Sequence, residues 1–426
     1  MTRTETETGA RPPSLFRHRD FMLLWSGQTL SEIGSMVTPF AIPFLAVTAL
    51  HASNFEVALL TALGSAAFLL VALPAGVVVD RVARHRLMMW CDVLRALIVG
   101  SVPLAWLLGL LTLPQLYAVV LATGVLTVFF DVAYQSYLPV LLDERSLIDG
   151  NGKLGVTSSA AGMLGPTIAG GLVAAVGAAQ AVLVNAVSYV VSAVSLLLIR
   201  TPEPKPAPPP GPRPTFRRQI GEGLRFVLTH PILNRIVACT GTVNLFVTMV
   251  LSMEMPFLVR VLHLTPETAG LLLALGASGG IVGGLLAGRL SRAIGSARII
   301  WVAPLLLGLP GLCVPLAYPG WRVLLYAVGW FSFNFAAVVY NTAQVSYRQT
   351  ICPPDLLGRM NAAVRWIVWG TIPLGALIAG GLATWLGLRA TLWIGVTGTC
   401  LGGLFVFFSP LRHMRDIETG PAPAGS

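Results

Sequence analysis

The chain has 426 residues, 55% of them hydrophobic and only 11% charged, with a net charge of +10 and a mean hydropathy of +0.77. Soluble domains carry about a quarter charged residues, so an ordinary globular protein is excluded. Apolar stretches of about 20 residues recur along the whole length without polar alternation, which selects membrane-spanning helices over a transmembrane barrel.

In chain order, residues 1–20 form a polar, basic tail without an apolar core, and no cleavable signal is expected there. Six spans follow, at roughly 21–48, 56–79, 87–110, 114–138, 154–176 and 178–199. Residues 201–231 read as a linker: Pro202 to Pro214 is dense in proline and stays extended, and the basic, apolar mix after Phe216 suits an amphipathic helix on the cytoplasmic surface. Six more spans fall at roughly 233–259, 269–290, 298–318, 322–346, 362–386 and 389–409. The halves are thus residues 21–200 and 232–410, and residues 411–426 are a second tail.

Of the 28 lysines and arginines, all but Arg95, Arg260, Arg322 and Arg389 fall on the side of the termini. The positive-inside rule then places both termini in the cytoplasm of a cell-membrane protein. The charge is topological and does not point to nucleic acid. The five cysteines, Cys91, Cys239, Cys313, Cys352 and Cys400, have no paired spacing and read as small packing residues, not as a disulfide or metal framework. No P-loop, zinc-protease, C-x-x-C or G-x-S-x-G signature is present, so neither an enzyme nor a bound cofactor is expected.

The halves repeat. Asp131-x-Ala133-x-x-Ser136-Tyr137 matches Asn341-x-Ala343-x-x-Ser346-Tyr347, and the same register pairs Ala169-Gly170-Gly171-Leu172 with Ala379-Gly380-Gly381-Leu382. The charged turn Gly76-Val-Val-Val-Asp80-Arg81-Val-Ala-Arg84-His85-Arg86 has a weaker copy from Gly288 to Arg298. Parallel six-helix repeats around a midplane cavity are a transporter architecture.

Acids inside spans are expensive in lipid and face a cavity or a partner. Glu32 lies near the middle of span 1, on a polar stripe with Gln28, Ser31 and Ser35. It reads as a site for a proton or a cationic group; the alternative is a neutral carboxyl held by hydrogen bonds. Asp131, below Thr123 and Thr127 on one face of span 4, is expected near the end of that span, within reach of Asp80 and Arg84. Glu254 is expected at the far end of span 7, either as a rim residue near Arg260 or as a second protonation site. Asn244 in span 7 and Trp330 and Asn334 in span 10 are candidates to line a greasy cavity.

On these residues the chain resembles the major facilitator superfamily. Gly76, Asp80, Arg81 and Arg84 match its loop signature after span 2, while Ala83 and His85 depart from it. Phe129-Phe130-Asp131-x-Ala133, Asn151, Gly165-Pro166 and the Asp92-x-x-Arg95 pair look most like macrolide-type and siderophore-type exporters. The resemblance implies an all-α fold of twelve spans in two pseudo-symmetric six-helix bundles. It also implies proton-driven efflux of hydrophobic or amphipathic small molecules by alternating access, as a monomer. In such relatives an acid at the place of Asp131 completes a charge relay with the loop, so Gly76, Asp80, Arg81, Arg84, Asp92, Arg95 and Asp131 are assigned to a cytoplasmic gate. Gly165, Pro166 and Gly170 resemble part of an antiporter signature, though small residues also serve plain helix packing. Export of one self-made metabolite, lipid flipping and a non-transporting sensor stay open as alternatives.

Overall fold

The computed structural model describes residues 15–79, 81–203, 216–352 and 356–416. Asp80, most of the proline-rich linker and the outer parts of both tails lie outside the described residues. The described residues contain twelve helices long and apolar enough to cross a membrane, and no strand. The spans, numbered 1–12, are Arg19–Thr48, Asn54–Val79, Arg84–Leu107, Leu113–Leu141, Glu144–Val176, Ala178–Leu197, Leu233–Val261, Pro266–Ile294, Ile299–Leu316, Trp321–Ile351, Leu357–Trp385 and Leu388–Phe407. This is a multi-pass membrane protein.

Span 1 is bent at Met36, where Arg19–Ser35 gives way to Val37–Thr48. Span 5 begins earlier than its hydropathy predicts, because Asp143 caps a helix whose first turns are polar. Span 9 departs most from expectation. Pro304, Pro310 and Pro315 remove backbone donors, and the helix passes from one α-turn through a π-turn (Ala303–Leu307) into a 3-10 stretch (Leu309–Leu316). Its far end is fastened by Arg389, which donates to the carbonyls of Pro315 and Ala317 and lies 3.9 Å over the Tyr318 ring.

The turns carry the internal repeat into the backbone. Gly177 and Gly387, which join spans 5–6 and 11–12, both have φ 87° with ψ 157° and 163°. His51 and His263, after spans 1 and 7, are the two non-glycine residues with positive φ among the described residues, at 51° and 53°.

Within the first half, span 1 packs on spans 5 and 6, and span 4 on spans 2 and 3; in the second, span 7 packs on 11 and 12, and span 10 on 8 and 9. Spans 1, 4, 7 and 10 therefore surround the centre. The halves meet through span 2 against 11 and span 5 against 8. These seams are tight only on the face away from the termini. A Cβ at Gly170 or Gly270 would strike the backbone of the other half, and one at Gly380 would come within 3.0 Å of Phe55 Cα. Toward the terminal face, a Cβ at Gly76, Gly155 or Gly162 would meet nothing within 4 Å. The cleft between the halves is open on the side of the termini and shut on the other.

The helix Phe216–Thr229 belongs to the second half. Val227 is buried, and Glu222 pairs with Arg359 of span 11. It is amphipathic, as its sequence pattern suggests, and its buried face packs on span 11.

Candidate transport cavity

Three charged residues of the first half lie at one depth. At 1.5 Å per residue, Glu32 is about 20 Å from the start of span 1, Arg95 about 16 Å from the start of span 3, and Asp131 about 15 Å from the end of span 4. All three distances are measured from the terminal face. Asp131 thus sits deeper than its sequence position suggests, because span 4 continues to Leu141. Its side chain is exposed to the open cleft, and it lies within electrostatic reach of both Arg95 and Glu32. Tyr134, one turn below Asp131, senses both acids as well. Spans 1 and 4 are not close-packed neighbours, yet the carboxyls of Glu32 and Asp131 come within electrostatic reach of each other.

Arg95 and Asp92 form an ion pair, buried to 4% and 0% side-chain exposure. The guanidinium lies 4.3 Å from the Phe130 ring centre and 4.5 Å from that of Tyr189, and donates to Thr127 Oγ1 at 3.4 Å. Cation–π contacts gain strength when desolvated, so this sandwich fixes a charge that lipid alone would not tolerate. Tyr189 in turn shares a hydrogen bond of 3.1 Å with Ser35 of span 1. Sequence reasoning places Asp92 and Arg95 at the terminal-face gate; the structure places them in the middle of the first bundle, beside Asp131.

The rest of the polar stripe on span 1 divides. Ser31 is buried, and Ser35 faces span 6. Gln28 is half-buried with an Oε1 that finds no partner among the described residues. Only Gln28 and Glu32 are left to serve the cavity.

Asp80 lies outside the described residues, and among those described the turn after span 2 is held by Glu203. Glu203, just past span 6, accepts from the backbone N–H groups of Arg84 and His85 at 2.9 and 3.1 Å, and its carboxylate lies 3.9 Å from the Arg84 guanidinium. The first turn of a helix has unsatisfied N–H groups that favour an acceptor anion, and Glu203 fills that role for span 3. Arg81 is exposed and Gly76 faces open space.

In the second half, Glu254 accepts a hydrogen bond of 2.6 Å from the Tyr326 hydroxyl and does not pair with Arg260. Arg260 instead crosses to the first half, donating to Asn54 Oδ1 at 2.7 Å and to the Ala52 carbonyl. Asn244 reaches the Val368 carbonyl of span 11 at 3.5 Å, and Asn334 bonds to its own helix at Trp330. Trp330 stacks on Phe333, and both border an apolar cavity of about 40 Å³ inside the second bundle, between spans 7, 9, 10 and 12. That volume is far below the few hundred Å³ of a small-molecule site, so these aromatics fill a bundle interior. Trp369 of span 11, which sequence reasoning passed over, is exposed and lies 4.1 Å from Phe68 of span 2, across the interface.

Gly165 and Gly170 have different neighbours. Gly165 leaves room for the Met36 side chain at the bend of span 1, whereas Gly170 crosses Gly270 of the other half. Pro166 contributes the carbonyl that approaches Gly270.

A family profile described as transmembrane secretion effector matches residues 10–423. The multidrug efflux pump Tap of Mycolicibacterium fortuitum is 28% identical over 401 residues, which cover 91% of this chain and 95% of that protein. The uncharacterized MFS-type transporter YfiS of Bacillus subtilis is 27% identical, covering 88% of this chain and 89% of that one. Among solved structures, a bacterial homologue of the human lysosomal transporter Spinster, inward-facing and unoccupied, is similar with a TM-score of 0.70 at 17% identity, covering 94% of this chain and 97% of that one. A bacterial homologue of ferroportin in its inward-facing state gives 0.72 at 17% identity, covering 93% and 99%. The profile spans nearly the whole chain and the relatives are transporters, not enzymes: this chain belongs to the transmembrane secretion effector family of the major facilitator superfamily.

Proposed function

We propose that the protein is a proton-coupled exporter of hydrophobic or amphipathic small molecules in the cell membrane, acting as a monomer with both termini in the cytoplasm. The observation that carries this reading is the pair of carboxyls, Glu32 and Asp131, at one mid-membrane depth and within electrostatic reach of each other, in a bundle whose seam with the other half opens on the terminal side. With the termini cytoplasmic, that opening is the inward-facing state. A cationic or zwitterionic molecule entering from the cytoplasm or inner leaflet meets two acids and displaces their proton. Protonation from outside after the cleft reorients releases it. Kinship with the Tap pumps supports efflux of several compounds over one dedicated metabolite.

The test uses inverted vesicles and ethidium, a lipophilic cation. The native protein accumulates the dye on acidification of the lumen. E32Q and D131N are expected to lose this proton-driven accumulation while retaining exchange of dye for dye, which needs no proton. Full proton-driven uptake by both variants would sink the assignment.

A further inference from the structure

The Asp92–Arg95 pair is the most deeply buried charge in the first bundle, and an exporter needing only the two cavity acids has no use for it. Replacing a buried ion pair by apolar residues is often neutral or stabilising, so packing alone does not explain its presence. Two features show that the guanidinium is incompletely committed. Its Nε is buried without a hydrogen-bond partner, and its bond to Thr127 at 3.4 Å is long. Thr127 stands one helical turn from Asp131 on the same face of span 4.

We propose that Arg95 is the shared counter-ion of Asp92 and Asp131, and that it transmits the charge state of Asp131 to span 1. The proposal rests on the reading that Asp131 takes up and returns a proton. While Asp131 is protonated, Arg95 is held by Asp92 between the Phe130 and Tyr189 rings, as in this structure. When the proton leaves an Asp131 oxygen for water in the cleft, the new carboxylate draws the guanidinium along Thr127 toward span 4. Arg95 stays protonated throughout, and no other bond is broken or made than hydrogen bonds. Its movement away from Tyr189 releases a side chain whose hydroxyl is bonded to Ser35, one turn from Glu32. The two acids thus communicate through spans 3 and 6, as well as through the cavity.

The groups facing Asp131 are few. Among the described residues, Arg95 of span 3, Glu32 of span 1 and Tyr134 of span 4 interact with it, while Asp92 and Cys91 of span 3 and Tyr189 of span 6 surround the Arg95 guanidinium. Span 2, packed against span 4, has Glu56 near its distant end as its acid among the described residues.

The experiment reads Asp131 directly, without a substrate. Infrared difference spectra of the full chain in lipid, taken from about pH 4 to 9, contain a protonated-carboxyl band assigned by its loss in D131N. With Asp92 neutralised, Arg95 is free for Asp131. D92N is therefore expected to lower the midpoint of that band by about one pH unit or more, the effect of a cation brought to a few Å from a carboxyl. R95Q leaves Asp92 buried without its cation, a costly state for folding, so the neutral pair D92N/R95Q is the decisive arm; its midpoint is expected above the native one. Y189F is expected to leave the Asp131 midpoint in place while moving that of Glu32. A D92N midpoint equal to the native one overturns the shared counter-ion. So does a D92N/R95Q midpoint equal to that of D92N, which would show a direct field effect of Asp92. Absence of any band lost in D131N overturns both this proposal and the protonation of Asp131, whereas dye uptake in vesicles tests the exporter reading separately.

Discussion

Arg260 of span 7 donates to Asn54 Oδ1 of span 2 across the shut face of the cleft, at 2.7 Å. The same guanidinium reaches the Ala52 carbonyl, and Asn54 bonds onward to the Ala383 carbonyl of span 11 at 3.4 Å. A hydrogen bond to a charged group contributes about 1.5–3 kcal/mol, and this one exists only while that face is closed. R260Q is expected to raise the population open on that side about tenfold. Spin labels at Leu110, in the loop between spans 3 and 4, and at Trp321, the first residue of span 10, both exposed, report it as a larger fraction of long distances. An unchanged distribution refutes the latch.

Gly170 and Gly270 cross with no room for a Cβ on either side. G170V is expected to insert into the span and to bias the protein away from the shut state. Dye efflux falls at least tenfold, while the same labels show the face open. G162V, two turns below in the open part of the cleft, is the control and is expected to leave that distribution as it is.

Glu203 holds the start of span 3 through two backbone bonds. Loss of such a cap costs about 0.5–2 kcal/mol. E203A is therefore expected to speed hydrogen exchange at Arg84 and His85 several-fold while exchange in the middle of span 3 stays slow. Equal protection in both proteins refutes the cap.

His230 ends the linker helix, and its Nδ1 accepts from the N–H groups of Ile232 and Leu233 at 3.2 and 3.3 Å. Burial pushes its pKa below the usual imidazole range. The folded state therefore binds fewer protons than the unfolded one, and stability present above about pH 6.5 is lost as pH falls below it. Exchange at Ile232 and Leu233, corrected for intrinsic rate, is expected to rise between pH 7.5 and 5. H230N, which keeps an acceptor that does not titrate, is expected to remove that dependence.

Much of the fold was legible because lipid constrains it so strongly. Twelve apolar runs and the match between Asp131–Tyr137 and Asn341–Tyr347 are enough to count spans and find the repeat. Proline at 304, 310 and 315 predicts a poor helix in span 9, yet its hydropathy alone reads as regular. Side-chain partnerships were less accessible. Glu203 follows a proline beside a linker and reads as a solvated acid, and only the fold brings it to Arg84. Asn54 carries no periodic signal, since its role depends on a residue of the other half. The depth of Asp131 turned on where span 4 ends, and a few residues there shift a side chain by a helical turn.

The glycine crossings give the two halves a particular kind of joint. At Gly170 and Gly270 backbone lies on backbone, with no side-chain knobs seated in holes. Such a surface resists compression but offers little resistance to sliding or rolling, since no rotamer has to change for one helix to move over the other. The fastening at that face then rests on discrete polar links such as Arg260–Asn54. Holding the closed state and choosing when to leave it are thereby separated: shape supplies the bearing, and a few hydrogen bonds supply the catch.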